Sequence, residues 1–302
     1  MKRSSFIAVI GAPNAGKSTL VNALVGAKVS IVTQKVQTTR ARIRGIAIEG
    51  ETQLVFTDTP GIFSPRRRLD RAMVAAAWEG IEGADAVLHV VDAAAQLAGP
   101  SKSTADTEAI IEELKKRGRK AALVLNKIDK VARPNLLKLI AGMAVQGVYE
   151  ETFLISAETG DGVADLKAHL VARAPEGAWM YPEDQLSDIS DRLMAAEVTR
   201  EKVFKRLHQE LPYESTVETT SWSRTKKGEL KIEQTIYVSR EGHRPIVLGK
   251  GGGTLKAIGE AARKELTGLF GEPVHLFLTV SVREGWTEEP ARYREMGLDI
   301  VD

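Results

Sequence analysis

The chain has 302 residues, of which 43% are hydrophobic and 27% are charged, with a formal net charge of +2 and no cysteine. This length is sufficient for two domains, and the composition is ordinary for a soluble globular protein. The lack of cysteine excludes disulfides and thiolate metal sites. No run reaches the roughly 18 apolar residues of a membrane-spanning helix. The N-terminus shows no secretion signal, so we expect a cytosolic protein.

The first half of the chain alternates short apolar runs with helical patterns. A helix is predicted over residues 17–25, and Gly26 would end it. Gly50 separates two strand-like runs, which indicates a hairpin. The predicted strands are 6–10, 42–48, 52–57, 86–91, 121–125 and 152–155. We therefore expect an α/β domain over residues 1–172, with a mainly parallel sheet that binds ligands at the C-terminal ends of its strands.

The second half has a different organisation. Residues 173–188 contain two prolines and a glycine in a polar stretch, which predicts a linker with a hinge near 175–183. Residues 189–302 then follow the order helix, strand, strand, glycine-rich loop, helix, strand, which predicts a smaller α+β domain. Its helices are predicted at 189–211 and 254–266, and its strands at 216–222, 229–238 and 274–282.

A phosphate-binding pattern, G-x-x-x-x-G-K-[ST], lies between the first predicted strand and the first predicted helix, the context that supports such a match. Glycines let backbone N–H groups point at phosphate oxygens, and the helix N-terminus adds partial positive charge. Lys17 would neutralise the β- and γ-phosphates, and the Ser18 hydroxyl would bind Mg²⁺. The residues assigned to this site are Gly11, Ala12, Pro13, Asn14, Ala15, Gly16, Lys17, Ser18 and Thr19.

A second motif, D-T-P-G, begins with Asp58 at the end of the strand 52–57. Asp58 would hold Mg²⁺ through water, and Gly61 would bring a backbone N–H to the γ-phosphate. The pattern by itself is also a common turn. Its position after the phosphate loop favours the functional interpretation.

A third motif, N-K-I-D, follows the strand 121–125. Guanine presents two adjacent donors, which the carboxylate of Asp129 can accept in parallel and which adenine lacks. Lys127 would lay its aliphatic stem over the base, and Asn126 would join the phosphate loop to the base loop. Ser156 and Ala157 end the strand 152–155, and the Ala157 N–H would reach the guanine O6. The motifs together predict a guanine-nucleotide site.

These motifs, together with Q-T-T-R at residues 37–40 and Y-P-E-D-Q-L at residues 181–186, resemble the bacterial Era GTPase family over nearly the full chain. The first half is similar to translation-factor-related small GTPases. The resemblance implies a P-loop GTPase domain that uses GTP, GDP and Mg²⁺. It implies that Thr39, rather than Thr38, closes on Mg²⁺ and the γ-phosphate. Ser18, Thr39 and Asp58 would then be the metal residues, and the catalytic residues would be Asn14, Lys17, Thr39 and Gly61.

The glycine-rich loop of the second half resembles the G-x-x-G loop of a type II KH domain, with the residues Gly249, Lys250, Gly251 and Gly252. Such a loop allows two backbones to approach closely, and Lys250 offers charge to a phosphate. The resemblance implies binding of the single-stranded 3′ end of 16S rRNA and a role in assembly of the 30S subunit. The protein is expected to be a monomer.

Hydrolysis is expected to be slow. Ras-like proteins place a water-orienting glutamine where this chain has Ile62, and an isoleucine cannot donate or accept a hydrogen bond. Related GTPases with asparagine at the position of Asn14 use it to hold K⁺, so Asn14 either makes hydrolysis K⁺-stimulated or braces the loop. The arginines at residues 66–68 are interpreted as a solvated face rather than a catalytic finger.

Two other functions compete with the ribosomal one. The first is a membrane-associated switch whose basic KH surface contacts anionic lipid at the inner face of the cell membrane. The second is a GTPase that partners a tRNA-modifying enzyme, and the KH pattern disfavours it. We also expect GTP binding to change the exposure of the RNA site.

Overall fold

The computed structural model describes residues 1–36, 38–65, 67–208, 210–289, 293 and 296–299. They fall into two units. The first unit comprises residues 1–188 together with the described residues from Tyr293 onward, and the second comprises residues 189–292. No helix within the described ranges is both long and apolar enough to cross a membrane.

The first unit is a six-stranded sheet with the strand order β2-β3-β1-β4-β5-β6. The strands are β1 (Arg3–Ile10), β2 (Ile43–Glu49), β3 (Thr52–Asp58), β4 (Ala86–Asp92), β5 (Ala121–Asn126) and β6 (Tyr149–Leu154). Only β2 runs antiparallel to its neighbour among these described strands, because the Gly50 hairpin joins it directly to β3. The α/β class with a mainly parallel sheet is therefore confirmed.

Helices cover both faces of this sheet. They are α1 (Lys17–Val25), α2 (Arg68–Glu82), α3 (Ala93–Leu97), α4 (Lys102–Lys116), α5 (Arg133–Ala144) and α6 (Val163–Arg173). Alternate residues of β1 enter two separate cores: Ile7 and Val9 pack with α1 and α6, whereas Ala8 and Ile10 pack with α2 and α4. Burial on both faces explains why this strand is continuously apolar. The two cores therefore hold the C-terminal ends of the parallel strands from both faces of the sheet.

Residues 174–188, which we call the strap, belong to the first unit, although the sequence predicts a linker there. The Ser4 N–H donates to the Pro175 carbonyl at 3.1 Å. The buried side chain of Gln53 accepts from the N–H groups of Met180 and Tyr181 at 2.8 and 3.1 Å and donates to the Tyr181 carbonyl at 2.9 Å. One glutamine thus satisfies three backbone groups of the strap.

The end of the strap pairs with β2. The Ile46 N–H donates to the Leu186 carbonyl at 2.9 Å, and the Asp188 N–H donates to the Arg44 carbonyl at 3.2 Å. The Asp188 carboxylate accepts from the Arg44 N–H at 2.9 Å. Because β2 follows the segment that contains Thr39, the strap is bonded to the strand next to a predicted switch.

The second unit is an α+β fold whose three-stranded sheet has the order β7-β8-β9. Its elements are α7 (Asp191–Arg206), β7 (Ser215–Arg224), β8 (Leu230–Val238), α8 (Arg244–Leu248), α9 (Gly253–Phe270) and β9 (Val274–Val282). β7 is antiparallel and β9 parallel to β8. Alternate residues of β8 are buried beneath α7 and α9, as expected for a sheet with helices on one face. The predicted element order is confirmed, with α8 as an additional short helix.

Two helices differ from their predicted bounds. The helix predicted at 189–211 spans Asp191–Arg206: the Ser190 hydroxyl caps its start by accepting from the Leu193 N–H at 3.3 Å, and Leu207 is already extended. The helix predicted at 254–266 spans Gly253–Phe270, and Gly271 adopts φ 66° and ends it. The start of the first helix and the end of the second follow from capping residues.

Candidate nucleotide and RNA sites

The phosphate loop connects the end of β1 to the start of α1. Gly16 has φ 97°, and a Cβ atom there would lie 2.1 Å from the Asn126 side-chain nitrogen. The loop therefore requires glycine at this position on both conformational and steric grounds. Pro13 and Ala15 complete the curve, and Thr19 is half-buried in the first turn of α1.

Lys17 is buried beneath this loop with 6% of its surface exposed. Its ammonium donates to the carbonyls of Gly11 at 3.0 Å and Ala12 at 2.9 Å. Burial lowers the pKa of Lys17 to about 8, and the charge of Asp58 opposes this change. A phosphate group beside the ammonium would favour its charged form, so the loop is suited to an anionic ligand.

Three oxygen-bearing side chains meet beside the phosphate loop. The Ser18 hydroxyl donates to Asp58 Oδ2 at 2.7 Å and lies 2.8 Å from the Thr39 hydroxyl. The other oxygen of Asp58, Oδ1, is buried and has no hydrogen-bond partner among the described residues. Burial raises the pKa of Asp58, against a hydrogen bond from Ser18 and the charge of Lys17. A buried, unsatisfied carboxylate oxygen beside two hydroxyls fits Mg²⁺, which prefers hard oxygen ligands.

The two candidate threonines, Thr38 and Thr39, have different hydrogen-bond partners. Thr39 lies against Ser18, whereas the Thr38 hydroxyl donates to the Lys35 carbonyl at 2.7 Å and lies 2.5 Å from the Thr33 hydroxyl. The geometry thus brings Thr39, and not Thr38, to the metal residues. Gln37 of the same motif lies outside the described residues.

The region after Asp58 approaches the phosphate loop through its backbone. The Ile62 N–H donates to the Gly11 carbonyl at 3.1 Å, which holds Gly61 beside Pro13. Ile62 is 5% exposed and packs in the core beside Ala8. The residue at the glutamine position therefore points away from the phosphate site. Arg66 lies outside the described residues, so the arginine cluster is only partly placed.

Asn126 lies at the end of β5, 2% exposed, and connects three loops. Its amide nitrogen donates to the Ala15 carbonyl at 2.8 Å. Its carbonyl oxygen accepts from the N–H groups of Lys127 at 2.8 Å and Ala157 at 2.9 Å. The Ala157 N–H, expected to contact guanine O6, is thus already used by Asn126 and could reach a base only as a shared hydrogen bond.

The other base-site residues, Asp129 and Ser156, lie at the same edge of the sheet. Asp129 lies in a 3₁₀ turn with an exposed carboxylate that makes no hydrogen bond or ion pair with the described residues. Ser156 is fully buried, and its hydroxyl accepts from the Thr159 N–H at 3.3 Å. Asp129 is therefore available to a base, whereas Ser156 shapes the loop.

Two contacts near the phosphate loop have partners that sequence reasoning did not name. The Asn14 side chain donates to the Gln34 carbonyl at 2.9 Å, which joins the phosphate loop to the segment before Thr39. Asp92, at the end of β4, accepts from the Lys127 ammonium at 2.5 Å. The sequence feature that could have identified Asp92 is its position at the end of a predicted strand, on the same edge of the sheet as the other motifs.

The glycine-rich loop of the second unit precedes α9. Gly249 has φ 73°, and a Cβ atom there would lie 2.2 Å from the Thr254 hydroxyl. Lys250, Gly251 and Gly252 form a 3₁₀ turn in which Lys250 is exposed. The loop thus presents backbone and one ammonium group.

A groove continues from this loop between α9 and β9. Leu276 and Leu278 of β9 contribute its apolar side, and α9 contributes two basic residues and one acidic residue, namely Lys256, Arg263 and Glu260. A Cβ atom at Gly259 would lie 3.4 Å from Leu278, an ordinary contact distance, so α9 and β9 pack closely here without requiring glycine. Apolar walls with basic residues suit unpaired nucleotides.

Comparison with known proteins agrees with this division. Residues 6–127 match a family described as a 50S ribosome-binding GTPase, and residues 210–287 match the KH domain. The chain is 58% identical to the GTPase Era of Caulobacter vibrioides (strain NA1000 / CB15N), over 99% of this chain and 97% of that protein. It is 58% identical to the GTPase Era of Rhizobium meliloti (strain 1021), over 99% of this chain and 93% of that protein.

Two solved structures share the fold over 98% of this chain and 99% of theirs. One is Era in complex with MgGDPNP and nucleotides 1506–1542 of 16S ribosomal RNA, with a TM-score of 0.90 and 36% identity. The other is a variant of Aquifex aeolicus Era bound to GDP·AlF4⁻, with a TM-score of 0.90 and 37% identity. From the near-complete match to these proteins and the geometry of both sites, this chain belongs to the Era GTPase family.

Proposed function

We propose that this protein binds GTP with Mg²⁺, hydrolyses it slowly to GDP and phosphate, and binds the 3′ end of 16S rRNA during maturation of the 30S subunit. The observation that carries the nucleotide part is the meeting of Ser18, Thr39 and Asp58 beside the buried ammonium of Lys17. The family relationship and the KH groove support the RNA part.

In the proposed mechanism, water attacks the γ-phosphate and the bond to the β-phosphate breaks. Lys17 would exchange its two loop carbonyls for phosphate oxygens, and the Gly61 N–H would stabilise the γ-phosphate. Bound Mg²⁺, held by Ser18, Thr39 and Asp58, would neutralise charge on the β- and γ-phosphates. Because the side chain of Ile62 is buried in the core and has no hydrogen-bonding group, it cannot position the water. We therefore expect a low intrinsic rate.

Asn14 is the proposed site of K⁺ stimulation. Its side chain already lies beside the Gln34 carbonyl, so an ion held by Asn14 would have a second oxygen close by. The same contact is also what a purely structural brace would make. Turnover in K⁺ buffer should exceed turnover in Na⁺ buffer, and Asn14→Ala should remove the difference. Equal rates in the two salts for the unmodified chain would leave Asn14 as a brace.

The RNA site is proposed at Lys250 and the groove between α9 and β9. An RNA backbone would lie against the turn at residues 249–252, with bases against Leu276 and Leu278. The testing experiment is filter retention of the 16S 3′ end against a scrambled RNA, with a GTP analogue or GDP present. Sequence-dependent retention supports the proposal, and equal retention of both RNAs contradicts it.

We further propose that the chain acts as a cytosolic monomer. Contact with a membrane surface is the alternative that the exposed Lys250 and Lys256 would permit. Sedimentation with anionic vesicles, compared with neutral vesicles, distinguishes it from RNA binding. Vesicle binding that resists competing 16S 3′-end RNA would favour the membrane function.

A further inference from the structure

Lys127 extends from the base loop to the phosphate loop. Its ammonium donates to the Asn14 carbonyl at 2.7 Å and to Asp92 Oδ2 at 2.5 Å. Among the described residues, Asn14 at φ 62° and Lys127 at φ 65° are the only non-glycine residues with positive φ. The lysine therefore joins two strained backbone positions, and such strain persists where surrounding contacts enforce it.

Asp92 is itself fixed in place. Its second oxygen, Oδ1, accepts from the Ala95 N–H at 3.0 Å and caps α3. Its side chain is 13% exposed and that of Lys127 is 27% exposed. Because one oxygen is held by the helix, the other has a defined direction toward the lysine.

We propose that Asp92 is a positioning residue for guanine nucleotides, which holds the Lys127 stem flat against the face of the base. A lysine has three rotatable donors on a flexible stem, and ordering that stem costs entropy. Asp92 and the Asn14 carbonyl order the Lys127 stem before the nucleotide binds, so that binding does not carry this entropy cost. This inference rests on the proposed assignment of Lys127 to the base.

The role predicts which property of binding changes. A stem that covers the base face does not contact the edge of the base. Loss of Asp92 should therefore weaken the binding of GDP and of inosine diphosphate by the same factor, since these two nucleotides differ only at the edge of the base. Asp129→Asn, in contrast, should reduce the preference for GDP, because Asp129 is assigned to the guanine N2 amino group.

The test is the release rate of a fluorescent GDP from the full chain. Asp92→Asn keeps a helix-capping side chain but removes the charge that holds Lys127. We expect release to become about tenfold faster, with a larger effect on the KM for GTP than on kcat. Lys127→Met should accelerate release at least as much, and adding Asp92→Asn to it should change little.

Ser101→Ala is the matched control, because it removes the cap of α4, where the Ser101 hydroxyl accepts from the Thr104 N–H at 3.2 Å. It should leave nucleotide release unchanged. Asp92→Ser, also a capping residue, provides a second variant if the asparagine variant does not fold.

The outcomes distinguish failure of the proposed role of Asp92 from failure of the assignment of Lys127 to the base. Faster release from Lys127→Met, with Asp92→Asn within twofold of the unmodified chain, overturns the role of Asp92 alone. Additive effects in the double variant also overturn it, since Asp92 would then act by another route. Unchanged release from Lys127→Met overturns the assignment of Lys127, and the inference with it.

Discussion

Lys17 combines burial with a cationic function, and the two conflict. Burial lowers its pKa to about 8 without nucleotide, whereas phosphates beside it would raise the pKa in the complex. The extra affinity from this charge is therefore fully present below the pKa of the free protein and is lost as the pH rises from that value to the higher pKa of the complex. We expect GTP affinity to fall roughly tenfold for each pH unit between these two pKa values, measured by equilibrium titration.

Lys17→Arg supplies the comparison for this pH dependence. A guanidinium remains charged throughout the same range. Its affinity is expected to be lower, since its planar head does not match the two loop carbonyls, but nearly independent of pH. An affinity of the unmodified chain that stays constant above the pKa of Lys17 would show that the lysine is charged before nucleotide arrives.

Contiguous motifs made most of the candidate site predictable at the level of residues. Lys17, Ser18 and Asp58 were assigned from spacing alone, and the structure brings them together. Asp92 was not assignable in this way. Its carboxylate meets a lysine 35 positions later in the chain, and that meeting depends on the register of β4 and β5. The use of the Ala157 N–H by Asn126 likewise depends on side-chain geometry that no pattern encodes.

At the level of elements, the strap gives a test of what Gln53 contributes. Gln53→Ala would leave three strap backbone groups without their partner. A hydrogen bond contributes about 0.5–1.5 kcal/mol net, and three are lost, so we expect the free energy of unfolding of the first unit to fall by about 2 kcal/mol or more. Urea unfolding followed by a probe in this unit measures it.

Gln185→Ala is the appropriate control for this loss. Gln185 is half-buried in the same strap, and its side chain makes one hydrogen bond to the described residues, to the Ser187 carbonyl at 2.8 Å. Removing this side chain should lower the free energy of unfolding by less than about 1 kcal/mol. Equal losses from both variants would mean that the strap contributes little beyond the cost of removing a glutamine.

Local signals predicted most elements but not the strap. The helix at Lys17–Val25 was predicted to its boundaries because glycines flank it on both sides. The strap has prolines and polar residues, as linkers have, and its order arises from Gln53, more than 120 residues earlier in the chain. Long-range hydrogen bonds of one side chain leave no periodic pattern in a sequence.

At the scale of the whole molecule, the nucleotide and RNA functions should be separable by charge. Lys250→Asp reverses the exposed charge in the glycine-rich loop without entering the first unit. We expect RNA affinity to fall about tenfold, with a shallower dependence on salt, while GTP hydrolysis without RNA remains unchanged. Lys227→Asp, in the exposed turn between β7 and β8, makes the same charge change and should affect RNA binding little.

The same variants address communication between the two functions. The strap runs from α6 to Asp188, it is hydrogen-bonded to β2, and the chain continues directly into the second unit. If a GTP analogue changes RNA affinity through this path, Gln53→Ala should reduce the ratio of RNA affinities measured with GTP analogue and with GDP. Lys250→Asp should instead lower both affinities and preserve that ratio. An unchanged ratio in Gln53→Ala would place the communication outside the strap.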